Sequence, residues 1–257
     1  MPAQEFYIDR LQVSVYEEPT SLAIAAAYRA DEIVQSAITK RGEARVILAT
    51  GNSQLEFLRY LAKGRTVDWS QVTIFHLDEF LGVDAQHPAS FRHYLRERAE
   101  KPLQPQAFHY LIGDTAEPVA ECERYEALLR QKPIDLCCLG IGRNGHLAFN
   151  EPAIANFTDP HLVKLVKIDA CTRAAQVGAG QFSGIEEVPK YAFTLTLSAI
   201  AQAENLLCLA FGQSKKETLE KLARERISSV YPATLLRRHS QSQLFTDLRE
   251  PLRCSVD

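Results

Sequence analysis

Residues 140–152 read GIGRNGHLAFNEP, a glycine-rich turn that runs straight into His146 and carries Glu151 five residues further on. Its first six letters satisfy G-x-G-x-x-G, the spacing of a dinucleotide-binding turn, and they follow an apolar run, IDLCCL (134–139). A dinucleotide turn places its third glycine in the start of a helix packed on the preceding strand. Here His146 follows Gly145 at once, and Pro152 stops any helix within about two turns. The strand also comes in mid-chain rather than at the first strand–helix turn. The glycines are better read as letting the backbone approach a small ligand, with His146 and Glu151 held over it. An imidazole with a carboxylate in reach is suited to moving a proton.

Two further stretches hold polar groups of the right kind. In FHLDEFLG (75–82), Asp78 and Glu79 follow an apolar run directly. A carboxylate partly desolvated at a strand tip has its pKa raised toward the working range of a general base. Acids also commonly begin the loop after a strand, so both readings stand at this point. His76 with Asp78 is set aside as a metal pair, because no second His/acid cluster has ligand spacing. In TGNSQ (50–54), Gly51 permits a tight turn, and the following amides with the Ser53 hydroxyl form an arrangement that binds phosphate. No G-K-[ST] follows, so this is not a nucleotide P-loop. A capped strand-to-helix turn accounts for Thr50, Gly51, Asn52 and Ser53 equally well.

The elements that must position these residues alternate along the chain. Apolar, β-rich runs predict strands over 11–16, 44–50, 71–77, 134–140, 162–168, 191–197, 204–211 and 242–247. Amphipathic runs predict helices over 19–42, 55–63, 90–99, 119–131 and 214–225. Pro19 near the start and Gly42 at the end bound the first helix, and Ser214 with Glu217 reads as a capping box for the last. The longest irregular stretch runs from about Asn150 to Asp159. Repeated strand–helix alternation implies a doubly wound, mostly parallel sheet with helices on both faces, an α/β, Rossmann-like three-layer fold in a single domain. Such sheets bind ligands at the carboxyl ends of their strands, which is where the three polar stretches fall.

Bulk properties agree with a small-molecule site. A chain of 257 residues can bury one large core, and its net charge of −3 with no long Lys/Arg block leaves no footprint for nucleic acid. No run approaches the ~18 apolar residues of a membrane span. The first residues, MPAQEFYIDR, lack an apolar signal segment. The six cysteines (Cys122, Cys137, Cys138, Cys171, Cys208, Cys254) include no C-x-x-C pair. They read as reduced, mostly buried thiols in a cytoplasmic protein.

Taken together and in order, ATGNSQLEFL (49–58), FHLDEFLGV (75–83), HPASFRHYL (87–95), GIGRNGHLAFNEP, VPKYAFTLTLSAI (188–200) and FGQSKKETL (211–219) resemble the glucosamine-6-phosphate deaminases (also called isomerases), which are related to the 6-phosphogluconolactonases. The resemblance implies a reaction with no metal and no redox cofactor. Glucosamine 6-phosphate opens its ring, isomerises from aldose to ketose and releases ammonia to give fructose 6-phosphate. It implies that Asp78 takes the C2 proton and returns it at C1, and that His146 moves the proton for ring opening. Glu151 and Asn144 would orient and tune the imidazole. Thr50, Gly51, Asn52, Ser53, Gly145 and Lys215 would hold the substrate and its phosphate. The tail AFNEP matches the deaminase branch, and Phe80 stands where the lactonase branch carries an Arg.

The chain departs from the family pattern at two positions. Asn144 stands where an Asp is usual, which removes a charge near His146. Gly178 stands where an Arg for the phosphate is usual, leaving Arg173 or another basic group to take its place. AIANFTDP (153–160) does not resemble the effector site of the longer hexameric members, so a monomer or small homo-oligomer is expected, with a possible mobile lid at about 155–187. The competing readings are a 6-phosphogluconolactonase, a galactosamine 6-phosphate enzyme and a non-catalytic sugar-phosphate sensor. A sensor has no need of Asp78, His146 and Glu151 together, and no helix-turn-helix segment is expected.

Overall fold

Residues 1–64 and 66–249 are described in the computed structural model of this chain. The strands run β1 (Gln4–Ile8), β2 (Leu11–Val15), β3 (Ala44–Leu48), β4 (Val72–His76), β5 (Asp78–Phe80), β6 (Ala107–Phe108), β7 (Leu136–Leu139), β8 (Val163–Lys167), β9 (Tyr191–Leu195), β10 (Asn205–Leu209) and β11 (Ser242–Thr246). The helices are α1 (Pro19–Arg41), α2 (Leu55–Lys63), α3 (Phe91–Leu95), α4 (Lys101–Leu103), α5 (Pro118–Arg130), α6 (Ala170–Gly178), α7 (Leu197–Ala201), α8 (Lys216–Arg224) and α9 (Leu235–Arg238).

Among the described residues, eight strands form the main sheet in the order β1-β2-β11-β10-β7-β3-β4-β6. Every neighbouring pair is parallel except β1 with β2. Strands β3 and β7 are buried on both sides, and alternate residues feed two separate cores. Val46, Leu48, Leu136 and Cys138 pack with Leu22, Ala26 and Ala30 of α1 and with Phe57 and Leu61 of α2. Ile47, Cys137 and Leu139 pack on the other face with Tyr125 and Leu129 of α5 and with Leu219 and Leu222 of α8. The doubly wound, three-layer arrangement expected from the strand–helix alternation is therefore present.

The first helix ends as its sequence dictates. Gly42 adopts φ +77° and donates its N–H to Ile38 O at 2.7 Å, a left-handed cap that glycine adopts without Cβ strain. Other expectations need correction. The runs at 162–168 and 191–197 are strands, but not of the main sheet. With Asp78–Phe80 they form a second, antiparallel sheet in the order β5-β9-β8. Strand β8 lies at the edge of that sheet, with Leu165 and Lys167 exposed, while β9 at its centre is buried from Ala192 to Leu195. Helix α8 has no capping box, because a 3-10 turn over Gln213–Lys215 precedes it and absorbs Ser214. The helix expected over 90–99 instead passes through a π turn (Arg96–Glu100) and ends at Leu103. Strand β1, with only half of its residues turned inward, gives too weak an apolar run to be found. Cys122, Cys137, Cys138, Cys171 and Cys208 are free thiols, and Cys254 lies outside the described residues.

One carboxyl in the framework works against stability. Asp31 on α1 is buried with Oδ1 lacking any hydrogen-bond partner among the described residues, while Oδ2 accepts only from Thr66 Oγ1 at 3.3 Å. Burial raises its pKa from 3.8 to about 6. The folded state therefore holds this proton more tightly than the unfolded chain, and stability falls as pH rises from the unfolded value through about 6. Asp31→Asn is expected to unfold with the wild type near pH 4. It should be about 1–2 kcal/mol more stable at about pH 7.5, checked by denaturant titration at both values. Equal stabilities at the higher pH would show that the buried carboxyl carries no such cost.

Candidate active site at the carboxyl ends of the strands

The turn after β7 is built around its glycines. Gly142 donates its N–H to His146 O at 2.9 Å and Gly145 donates to Gly142 O at 3.0 Å, closing a tight loop that folds the His146 ring back over Gly142. A methyl group on Gly142 would stand 2.1 Å from His146 Nε2. Gly145 has φ +83°, and a methyl there would stand 2.5 Å from the Tyr231 ring. The amide of Gly145 is spent inside the turn, and its carbonyl accepts from Ala233 N. The chain then makes a second sharp turn, with Ala148 in the left-handed region at φ +52° and Asn150 N–H bonded to Leu147 O at 3.0 Å. A non-glycine residue held there is strained, and such strain is concentrated at functional sites.

These two turns bring His146 and Glu151 together. His146 Nδ1 lies 3.2 Å from Glu151 Oε2, a carboxylate partner that selects the Nδ1–H tautomer and leaves Nε2, over Gly142, without a proton. Glu151 is 4% exposed. Its Oε2 also accepts from Asn144 Nδ2 at 2.6 Å, and its Oε1 accepts from Thr172 Oγ1 at 2.6 Å. Burial works to raise the pKa of Glu151, but the hydrogen bonds from His146, Thr172 and Asn144 together hold it below the usual value. Asn144 does not touch the imidazole. Its Oδ1 accepts from the His146 backbone N–H at 3.2 Å, and its amide reaches the ring only through Glu151.

The two acids after β4 have separate fates. Glu79 is fully buried, and its carboxylate accepts from Phe80 N, Phe91 N, Arg92 N and Ser90 Oγ at 2.8–3.1 Å, with the Arg92 guanidinium beside it. It is bound to the start of α3 and is not free for chemistry. Asp78 has none of these partners. Burial, with the charge of Glu79 adding to it, pushes Asp78 from 3.8 up to about 8. Its neighbour His76 is held neutral, lowered to about 3 by burial and by Arg92, while Nε2 accepts from Leu111 N at 2.8 Å. Asp78 is paired in register with Thr194 of β9. That same Thr194 Oγ1 accepts from Phe149 N at 3.1 Å, and Asn150 Nδ2 donates to Leu195 O at 2.8 Å. Strand β9 therefore ties the Asp78 segment to the His146–Glu151 loop.

The remaining predicted residues gather at the neighbouring strand ends. Gly51 has φ +101° and opens the 3-10 turn Asn52–Gln54 that leads into α2. Its carbonyl accepts from Tyr94 Oη at 3.0 Å. A methyl on Gly140 would meet Ser53 Oγ at 3.1 Å, so this turn abuts the one after β7. The side chains of Thr50 and Asn52 have no bond to other described residues, and Asn52 is exposed. Lys215 is half-buried at the end of the turn before α8, and its ammonium donates to Ile141 O. Burial lowers its pKa. Thr172, Thr194, Asn150 and Gly142 were not found from sequence. Thr172 lies in CTRAA beside the Arg that drew notice, and only the fold brings it to Glu151.

The chain matches the family model described as glucosamine-6-phosphate isomerases/6-phosphogluconolactonase over residues 17–246. A glucosamine-6-phosphate deaminase of Staphylococcus saprophyticus is 34% identical over 230 residues, covering 87% of this chain and 93% of the relative. One of Lysinibacillus sphaericus is 37% identical over 204 residues, covering 79% and 89%. Among solved structures, a monomeric glucosamine-6-phosphate deaminase superposes with a TM-score of 0.83 at 29% identity, covering 94% of this chain and 99% of that one. A 6-phosphogluconolactonase from Shewanella baltica shares the fold, with a TM-score of 0.74 at 20% identity and coverage of 94% and 99%.

The Gly142–His146 contact yields a direct test. Gly142→Ala is expected to push the imidazole off its line to Glu151 and to lower kcat by about 100-fold, the cost of roughly 1 Å of misplacement. The thermal midpoint should change little, because the ring can move outward into solvent. A variant with wild-type kcat would show that the ring position does not matter.

Proposed function

Since this chain belongs to the family of glucosamine-6-phosphate isomerases and 6-phosphogluconolactonases, we propose that its site converts glucosamine 6-phosphate and water to fructose 6-phosphate and ammonia. The observation that carries the reading is the juxtaposition across β9 of a lone buried carboxyl, Asp78, with the His146–Glu151 pair. His146 Nε2 relays a proton between the anomeric hydroxyl and the ring oxygen, and the sugar opens to its C1 aldehyde. Glu151 steadies the positive charge that the imidazole carries during the transfer. Asn144 and Thr172 hold Glu151 in place, so the exchange of a charged residue for Asn144 leaves one carboxylate facing the ring.

Asp78 then removes the proton from C2, where the adjacent carbonyl accepts the electron pair. It delivers that proton to C1 while an amino proton passes to the C1 oxygen, and the nitrogen electron pair forms a C=N bond at C2. Water adds to C2 and ammonia leaves, giving the ketose. A carboxylate with a pKa near the working pH is a matched base for a weak carbon acid. Phe80 supports the deaminase over the lactonase: it is fully buried in ring contacts with Phe91, Phe149 and Phe182, and an arginine could not take that place without displacing them.

The phosphate sits against the turn at Gly51, Asn52 and Ser53, with Lys215 opposite. The segment 155–187 serves as a lid that brings Thr172 to Glu151, anchored by Phe182 and by the bonds from Arg173 to Val188 O. Free thiols, including exposed Cys171, suit a reducing cytoplasmic compartment. The likeness to a monomeric deaminase supports a monomer or small homo-oligomer.

Purified protein incubated with glucosamine 6-phosphate should release ammonia and fructose 6-phosphate in equal amounts. Lactone hydrolysis without ammonia would reassign it to the lactonases, and binding without turnover would make it a sensor. Asp78→Asn is expected to lower kcat by at least about a thousandfold, consistent with loss of a general base. Substrate binding should remain, and stability at neutral pH should equal or exceed the wild type because a costly buried carboxyl is gone. In the wild type, kcat/KM should rise with pH through about 8 as Asp78 loses its proton. A profile flat from about pH 6 to 9 would exclude Asp78 as the base.

A further inference from the structure

Three observations leave the anion site short of one charge and then supply it. Gly178, where the family resemblance places a phosphate-binding arginine, is the exposed last residue of α6 and has no atom within 4 Å of the position a Cβ would take. Arg173, the obvious substitute, is engaged elsewhere. Its guanidinium donates to Ile185 O and Val188 O, which ties down the segment beyond α6. Arg143 is the third basic group, and it is differently placed. It lies in the turn after β7, between Gly142, over which the His146 ring folds, and Asn144, which holds Glu151.

The Arg143 backbone is fixed and its head is free. Its carbonyl accepts from Thr218 Oγ1 at 3.1 Å, which docks the loop on the first turn of α8. Lys215 stands just before that helix and donates its ammonium to Ile141 O, two residues ahead of Arg143 in the same loop. Arg143 is exposed, and its guanidinium makes no hydrogen bond or ion pair among the described residues. Burial is the main reason that Lys215 holds its proton less tightly, and the nearby charge of Arg143 adds to it. Two like charges near one another favour an anion in that place. The Ser53 turn closes the third side, against Gly140. A guanidinium suits the task, since its forked N–H groups match two phosphate oxygens at once.

We propose that Arg143 is the second phosphate-binding cation of this enzyme, clamping the 6-phosphate together with Lys215 and the turn at Gly51–Ser53. The proposal rests on the reading of the substrate as an amino sugar 6-phosphate. It also gives the glycine-rich loop two tasks, since the residues on either side of Arg143 serve the proton-transfer pair.

The test uses full-length wild type, Arg143→Ala and Arg143→Lys. Steady-state kinetics with glucosamine 6-phosphate are combined with calorimetric titration by inorganic phosphate, which needs no turnover. Arg143→Ala should raise KM and weaken phosphate binding by a similar factor, about tenfold to a hundredfold for a lost charge-assisted contact, with kcat nearly kept. Arg143→Lys should recover part of both. Arg143 is exposed, so the variants should fold, and matching circular dichroism and melting curves confirm it. Unchanged KM and phosphate affinity would overturn the proposal. So would a fall in kcat alone, which would mean that Arg143 only shapes the loop under His146. If the wild type binds phosphate through Arg143 yet releases no ammonia, the clamp stands and the assignment of the reaction fails instead.

Discussion

Leu77 belongs to neither sheet and is bonded to both. Its N–H donates to Leu48 O of the main sheet at 3.2 Å, and its carbonyl accepts from Leu195 N of β9 at 2.8 Å. That one-residue joint turns the chain from a parallel strand into an antiparallel one, and everything at the site follows from it. Asp78 enters the second sheet immediately, so it is covered before any loop can carry it to water. Strand β9, which covers it, also receives Phe149 N on Thr194 and the Asn150 amide on Leu195. Asp78 and the imidazole of His146 are thereby referred to the same backbone. The aromatic cluster of Phe80, Phe91, Phe149 and Phe182 packs beneath both and resists their drifting apart.

Buried acids in this protein are sorted by what they are given. Glu79 receives three backbone amides and a hydroxyl and becomes part of the framework. Glu151 receives an amide, a hydroxyl and an imidazole and stays ionised. Asp78 receives none of these, and its pKa is pushed upward. Glu151 and Asp78 are thus pushed to opposite sides of the usual carboxylate value, because hydrogen bonds to the ionised form offset desolvation for Glu151 and are missing for Asp78. The same physics makes Asp31 a cost without a function in the site.

At two strand ends the chain uses one local design twice. After β3 it reads Gly-Asn-Ser-Gln and after β10 Gly-Gln-Ser-Lys, in each case with a glycine at positive φ, a single 3-10 turn and then a helix. Strand β7 lies between β3 and β10, so its own turn is flanked by both. A molecule with net charge −3 concentrates Lys215 and Arg143 there, next to backbone amides at helix starts, and this makes a local field for an anion that the overall charge does not suggest.

The period of the apolar runs decided the layer architecture, because strands buried on both faces must be continuous in apolar residues and their helices must be amphipathic. His146, Glu151 and Asp78 drew notice by standing after apolar runs, and the roles expected of them came from the family resemblance. The separation of β8 and β9 into a second sheet was hidden, because a strand's partner is a long-range choice that its own letters hardly constrain. For the same reason Thr172 and Thr194 looked like ordinary polar residues, and Glu79 looked as suited to catalysis as Asp78. Residue types and their order alone determined which chemistry this chain carries and on which strand ends. Only the tertiary structure decided which acid is desolvated, which is tied down, and what holds the imidazole, because burial and hydrogen-bond partners are properties of packing between segments far apart in the chain.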